Sequence, residues 1–185
     1  MLWANNSQRF GAISQLIHWA SVLLVGLAWV LGLVGDDFPK GEIREFGETI
    51  HVSAGEIIGG LLIIRLIWLI ISRPPKDIPL PIGTIGAYAG KFAHIALYGL
   101  LFGVVTTGII LQFAWGETLS VLGLYEITSP WVRDKVFAHT IEEMHELLAH
   151  SLIVLATIHA GAALIHHFIF KDNTMRRMLP FVTLK

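Results

Sequence analysis

Residues 50–71 read IHVSAGEIIGGLLIIRLIWLII, a run in which only His51, Ser53, Glu56, Arg65 and the Trp68 indole carry side-chain polar groups. A helix of about 20 apolar residues crosses the ~30 Å hydrocarbon core of a bilayer, so this run is expected to span a membrane. It ends at Ser72-Arg73-Pro74-Pro75, where prolines stop a helix. Outward from this stretch lie three more apolar runs, at roughly 14–34, 92–113 and 145–170. The first stops at the acidic turn Gly35-Asp36-Asp37-Phe38-Pro39 and is too long and Trp-rich for a cleaved signal peptide. The third follows the Pro-rich connection DIPLPIG, and the fourth follows a polar segment, 116–143, that cannot span. That segment is expected to hold a short interfacial helix carrying Trp131 and Phe137 at headgroup level.

Composition agrees with this pattern. Of 185 residues, 54% are hydrophobic and 15% charged, against about a quarter charged in soluble domains. A net charge of -1 gives no nucleic-acid footprint, so no nucleic-acid partner is expected. The absence of cysteine excludes disulfides, thiolate metal sites and iron–sulfur ligation. The expected fold is all-α: a single domain over 1–185, an integral membrane four-helix bundle whose first partner is the lipid bilayer.

Basic residues stay preferentially on the cytoplasmic side of a membrane. Arg9, Arg73, Lys76, Lys91, Lys171, Arg176, Arg177 and Lys185 flank one side, and only Lys40, Arg44, Arg133 and Lys135 flank the other, among ten carboxylates. Both termini are therefore expected to be cytoplasmic and the acidic loops outside.

The nine histidines then become the question, because ionisable groups inside a membrane are expensive and usually functional. His145 and His159 are fourteen residues apart on the fourth span, so both imidazoles share a helix face with about 21 Å between their levels. His51 opens the second span at the outer level of His145, and His18 lies in the first span at the inner level of His159. Two cross-bundle pairs at two depths suit bis-histidine axial ligation of two haem irons. Arg65, fourteen residues after His51, shares its face at the inner level, where a haem propionate needs a cation; the plain alternative is that it snorkels to the interface. Gly26, Gly32, Gly55, Gly59, Gly60 and the small residues around His159 leave room for a macrocycle or serve close helix packing. His94 and His166 converge on the cytoplasmic side, where a protonatable imidazole can hydrogen-bond a quinone carbonyl, or can simply be solvated. His139, His150 and His167 are expected to make ordinary polar or structural contacts.

The segments Ile17-His18-Trp19, Ile50-His51-Val52-Ser53-Ala54-Gly55, His145-Glu146, His159 to His167 and Lys171-Asp172-Asn173-Thr174-Met175-Arg176-Arg177-Met178 resemble the prokaryotic cytochrome b561 family over almost the whole chain. The resemblance implies a bacterial inner-membrane, multi-pass cytochrome with two haem b groups, His18, His51, His145 and His159 being the axial ligands. The pairing of His18 with His159 and of His51 with His145 rests on depth. The resemblance further implies exchange of electrons with the quinone pool, with ubiquinone as bound substrate near His94 and His166. It also implies an oxidoreductase role for some members, which oxidise superoxide on the periplasmic side. Two features depart from that pattern. The connection Asp77-Ile78-Pro79-Leu80-Pro81 lacks the basic residues common in relatives, leaving Lys76 or Lys91 to substitute. The acidic outer rim repels an anionic donor unless Arg44, Arg133 and Lys135 gather over the outer site.

Two other readings compete. One is the cytochrome b subunit of a respiratory hydrogenase or dehydrogenase complex, taking electrons from a protein donor. The other is a histidine-based metal or proton transporter, against which stand unbroken helices and Glu56 as the one carboxylate in the spans proper. The Gly55-Glu56-Ile57-Ile58-Gly59 segment fits either a homodimer contact or internal packing.

Overall fold

The computed structural model describes residues 2–76 and 83–184, with the side chain of Asp36 set aside. Four helices dominate: α1 (Ala12–Val34), α2 (Glu42–Ile71), α3 (Gly83–Ala114) and α4 (Lys135–Ile165). All four are long and apolar enough to cross a membrane, the fourth counted through Phe170. The chain is thus an all-α four-helix membrane bundle. α1 packs chiefly on α2 and α3 chiefly on α4, while α2 and α3 join the two hairpins. The buried positions are few, among them Ile17, Ala54, Ile58, Leu62, Ile141 and Leu152, while Leu23, Ile63, Ile70, Phe92, Ile95 and Leu147 are exposed. Lipid tails are as apolar as these side chains, so such faces need no protein cover. Hydroxyls within the helices turn back on the preceding turn: Ser21 donates to Ile17 O (2.7 Å) and Thr157 to Ile153 O (2.8 Å).

The helices outrun the apolar stretches. α2 starts at Glu42 rather than 50, α3 at Gly83 rather than 92, and α4 at Lys135 rather than 145. Hydropathy marks only the part of a helix that meets hydrocarbon, whereas backbone hydrogen bonding continues into water. The interfacial helix expected within 116–143 is corrected as well. Residues Leu119–Val121 (β1) and Tyr125–Ile127 (β2) form an antiparallel hairpin, Trp131 follows in a loop, and Phe137 sits in the first turn of α4. The hairpin closes through Leu122 (φ 49) and Gly123 (φ 71), with Leu124 N donating to Val121 O at 2.9 Å. Two consecutive left-handed residues give the turn whose twist suits a hairpin. Asp134 then caps α4, its carboxylate accepting from Val136 N (3.0 Å) and Phe137 N (3.1 Å).

Both termini lie at one end, knitted together. The Arg9 guanidinium donates to Val182 O (2.8 Å) and Leu179 O (2.6 Å), Trp19 Nε1 to Met178 O (2.9 Å), and Gln15 Nε2 to Arg177 O (3.2 Å). Arg177 in turn donates to Lys76 O (2.7 Å), and Asn5 bridges to the Ser72 hydroxyl and carbonyl at 3.0 Å each. This clasp requires the N-terminal segment to fold tightly over Gly11, where an added Cβ would strike the Trp3 and Ala4 backbone. Backbone cannot rotate aside as a side chain can. Gly11→Ala is therefore expected to destabilise the protein by about 1–3 kcal/mol, read as a lower melting temperature in detergent with faster proteolysis of residues 2–10. Gly90→Ala, whose Cβ meets open space, should leave both unchanged.

Candidate functional site

At the level away from the termini, His51 on α2 and His145 on α4 face each other with ring centroids 6.1 Å apart. Each ring is fixed by the helix beside it. His51 Nδ1 donates to Ala28 O on α1 (2.8 Å), and the ring lies over Gly32, whose missing Cβ would come 3.2 Å from His51 Cε1. His145 Nδ1 donates to Val104 O on α3 (3.1 Å) and to the Thr107 hydroxyl (3.1 Å), itself a donor to Gly103 O. This ring lies over Gly108, again with 3.2 Å to Cε1. A carbonyl can only accept, so Nδ1 carries the proton, and in the neutral ring Nε2 keeps its lone pair.

The two hairpins thus use one arrangement twice. Ala28 and Val104, and Gly32 and Gly108, are each 76 positions apart, and the imidazoles they hold are 94 apart. The same offsets relate the inner-level residues: His94 stands 76 after His18, and His159 stands 94 after Arg65. Every helix therefore contributes one group to the inner level. Within the first hairpin an Arg65 guanidinium nitrogen lies 3.4 Å from His18 Nδ1, and the guanidinium rests over the Tyr98 ring at 5.3 Å. Within the second, His94 and His159 meet edge to face at 5.2 Å. All four groups lie in electrostatic range of one another. Of the residues singled out in the sequence, the structure brings His51 to His145, His94 to His159 and Arg65 to His18.

His166 stands apart from His94 in its contacts. α4 ends in a wide turn over His166–Phe170, and Lys171 adopts a left-handed conformation (φ 55) that sends the chain back. This brings the Asp172 carboxylate to His166 Nδ1 at 2.6 Å, with the two side chains 15% and 13% exposed. Burial alone would raise the Asp172 carboxyl, but the hydrogen bonds from His166 and Thr174 outweigh it and hold the group below its ordinary value.

The remaining histidines make local contacts: His150 meets Trp29 (6.2 Å), His167 meets Phe168 (4.8 Å), and His139 meets Trp115 (5.3 Å) and donates from Nδ1 to the Glu142 carboxylate (2.9 Å). At the rim, Arg44 donates to Phe38 O (3.1 Å) and Arg133 stacks on Trp115 (4.8 Å). Gly59 packs at Val105 and Glu56 accepts from Leu122 N (2.8 Å), so these members of the small-residue motif have partners inside the chain. The departure at Asp77–Pro81 falls outside the described residues.

The sequence profile of the prokaryotic cytochrome b561 family matches residues 9–181. The chain belongs to this family. Cytochrome b561 homolog 2 of Escherichia coli (strain K12) is 36% identical over 97% of this chain and 95% of its own length. Cytochrome b561 homolog 1 of the same organism is 33% identical over 93% and 97%, and the probable superoxide oxidase CybB of Yersinia pestis is 30% identical over 94% and 97%. The cytochrome is thus a multi-pass bacterial membrane protein of electron transport that binds haem b.

The residues of this cytochrome b561 fit such a group. An iron bound by two imidazole nitrogens at about 2 Å each puts the ring centres roughly 6 Å apart, close to the 6.1 Å between His51 and His145. Both Nε2 atoms are free for a metal because both Nδ1 atoms are occupied. Sequence reasoning passed over Gly108, Thr107 and the two carbonyls; the constant offsets of 76 and 94 were the signal available for them.

Two outcomes follow from these contacts. Gly32→Leu and Gly108→Leu should each push an outer imidazole off its carbonyl and lower the ratio of haem b to protein in purified samples, whereas Gly90→Ala should not. Separately, a carboxyl held below its unfolded value lends stability that is full above that value, about 3.9, and is lost as pH falls through the folded one. Protection of residues 171–180 in hydrogen exchange should accordingly fall below about pH 4, and Asp172→Asn should remove that dependence.

Proposed function

We propose that this protein moves electrons across the bacterial inner membrane through two b haems, His51 and His145 holding the outer and His18 and His159 the inner. The termini and their basic residues face the cytoplasm, and the acidic loops face outward. The observation that carries this reading is the arrangement of imidazoles on two levels of one bundle, the outer pair having both Nε2 atoms free. Fourteen residues separate His145 from His159, about 21 Å along the helix. The haems, when bound, supply one-electron chemistry that no side chain here provides.

The chain's own groups do the rest. Ala28 O and Val104 O fix the tautomer and ring direction of the outer imidazoles. Arg65 offers its guanidinium at the inner level, where it would hold a propionate carboxylate. His94 and His166 stand on the cytoplasmic side to bind a quinone and exchange its protons, ubiquinone being the substrate expected of the family. A relative is a probable superoxide oxidase, which supports a small anionic one-electron donor on the outer side.

The ligand assignment is tested by reduced-minus-oxidised spectra of purified variants. His145→Ala and His159→Ala should each lose one low-spin b haem, and retention of both haems in either variant would overturn the assignment. The direction of flow is tested by stopped flow: superoxide should reduce the haems and added ubiquinone should reoxidise them.

A further inference from the structure

We propose that Asp172 is the positioning residue of the quinone site: its carboxylate accepts a hydrogen bond from His166 Nδ1–H and so presents Nε2 to the quinone as the atom that exchanges a proton. The inference rests on the reading of His166 as a quinone-side group. His166 keeps helical geometry and lies seven residues beyond His159, hence on the same face and about 10 Å nearer the cytoplasm. Its other ring nitrogen is therefore the one left for a ligand beside the inner level.

The backbone is arranged around this pair. α4 does not stop at a simple cap but widens over five residues, and Lys171 takes a left-handed conformation that a non-glycine residue adopts at a cost. The result is a double hold on Asp172: its amide donates to His166 O (3.2 Å) and its Oδ1 accepts from Thr174 N (2.8 Å), leaving Oδ2 for His166 Nδ1 at 2.6 Å. Phe170 closes on the imidazole edge at 5.2 Å. A carboxylate serving only to cap the tail would need Thr174 alone. Held on both sides and little exposed, this one fixes a single tautomer of its partner.

The step balances simply. Reduction of the quinone to the quinol takes two electrons, delivered singly by the one-electron donor through the cytochrome, and two protons. His166 Nε2 takes one proton from cytoplasmic water and passes it to a carbonyl oxygen, the N–H bond breaking as the O–H bond forms, and the other proton comes from that water directly. Nδ1–H stays hydrogen-bonded to Asp172 throughout.

The test uses the full-length haem-loaded protein, reduced with dithionite and reoxidised by decylubiquinone. Asp172→Asn should lower the rate at saturating quinone by about 10²-fold, the range typical of a lost proton-transfer group, and leave the half-saturating concentration within about threefold. Asp172→Glu should recover most of that rate. Reoxidation by ferricyanide, which needs no proton, should be unchanged in both variants, as should the haem spectra. A full saturated rate in Asp172→Asn, or a slowing shared equally by ferricyanide, would overturn the proposal. If Asp172→Asn fails to hold haem, His166→Gln carries the same test, with the same selective loss expected. Failure of decylubiquinone to reoxidise the unsubstituted protein would instead overturn the quinone reading itself.

Discussion

A helix carbonyl in the middle of a membrane already accepts from the amide four residues on, and its second lone pair is normally idle. Here two such lone pairs, on Ala28 and Val104, each take the Nδ1 proton of an imidazole from the neighbouring helix. Unpaired, that N–H would face hydrocarbon at a penalty of several kcal/mol, so the bond sets how α1 meets α2 and how α3 meets α4. Glycine at 32 and 108 follows from it, because an imidazole that reaches a backbone carbonyl must lie flat on the helix surface. So does the chemistry, since the tautomer that satisfies the carbonyl is the one that leaves Nε2 available.

The duplication of this contact gives the outer level two equal partners and the inner level four unequal ones. At the corresponding place in each hairpin, the first holds His18 with Arg65 and the second holds His94 with His159. Replacing one imidazole by a guanidinium puts fixed positive charge at the inner level alone. An equal pair suits a passive relay, and an unequal set suits a place where anionic groups and protons must also be handled.

The four spans and the depth of the histidines were legible because hydropathy and a 3.6-residue period are written directly in the residue order. The partners of those histidines were not, since Ala28 and Val104 act through backbone oxygens that any residue carries. Gly108 escaped notice for a related reason: a glycine says that space is needed without saying by whom. The Asp172–His166 pair depends on a wide turn and a left-handed lysine, and no short sequence pattern announces either. The Leu119–Ile127 hairpin was hidden by its length, three residues a strand being too few to alternate convincingly.

The clasp at the inner end has a consequence in time. Its parts come from residues 5–19, from Ser72 and Lys76 after α2, and from residues 177–182, with Arg9 reaching Leu179 and Val182. Synthesis runs from residue 9 toward residue 182, so the end that carries His18, Arg65 and His94 stays unsealed until residues 177–182 have been made. The tail thereby locks onto α1 only after all four helices exist, and loss of the residues from Leu179 onward would leave that end of the bundle open.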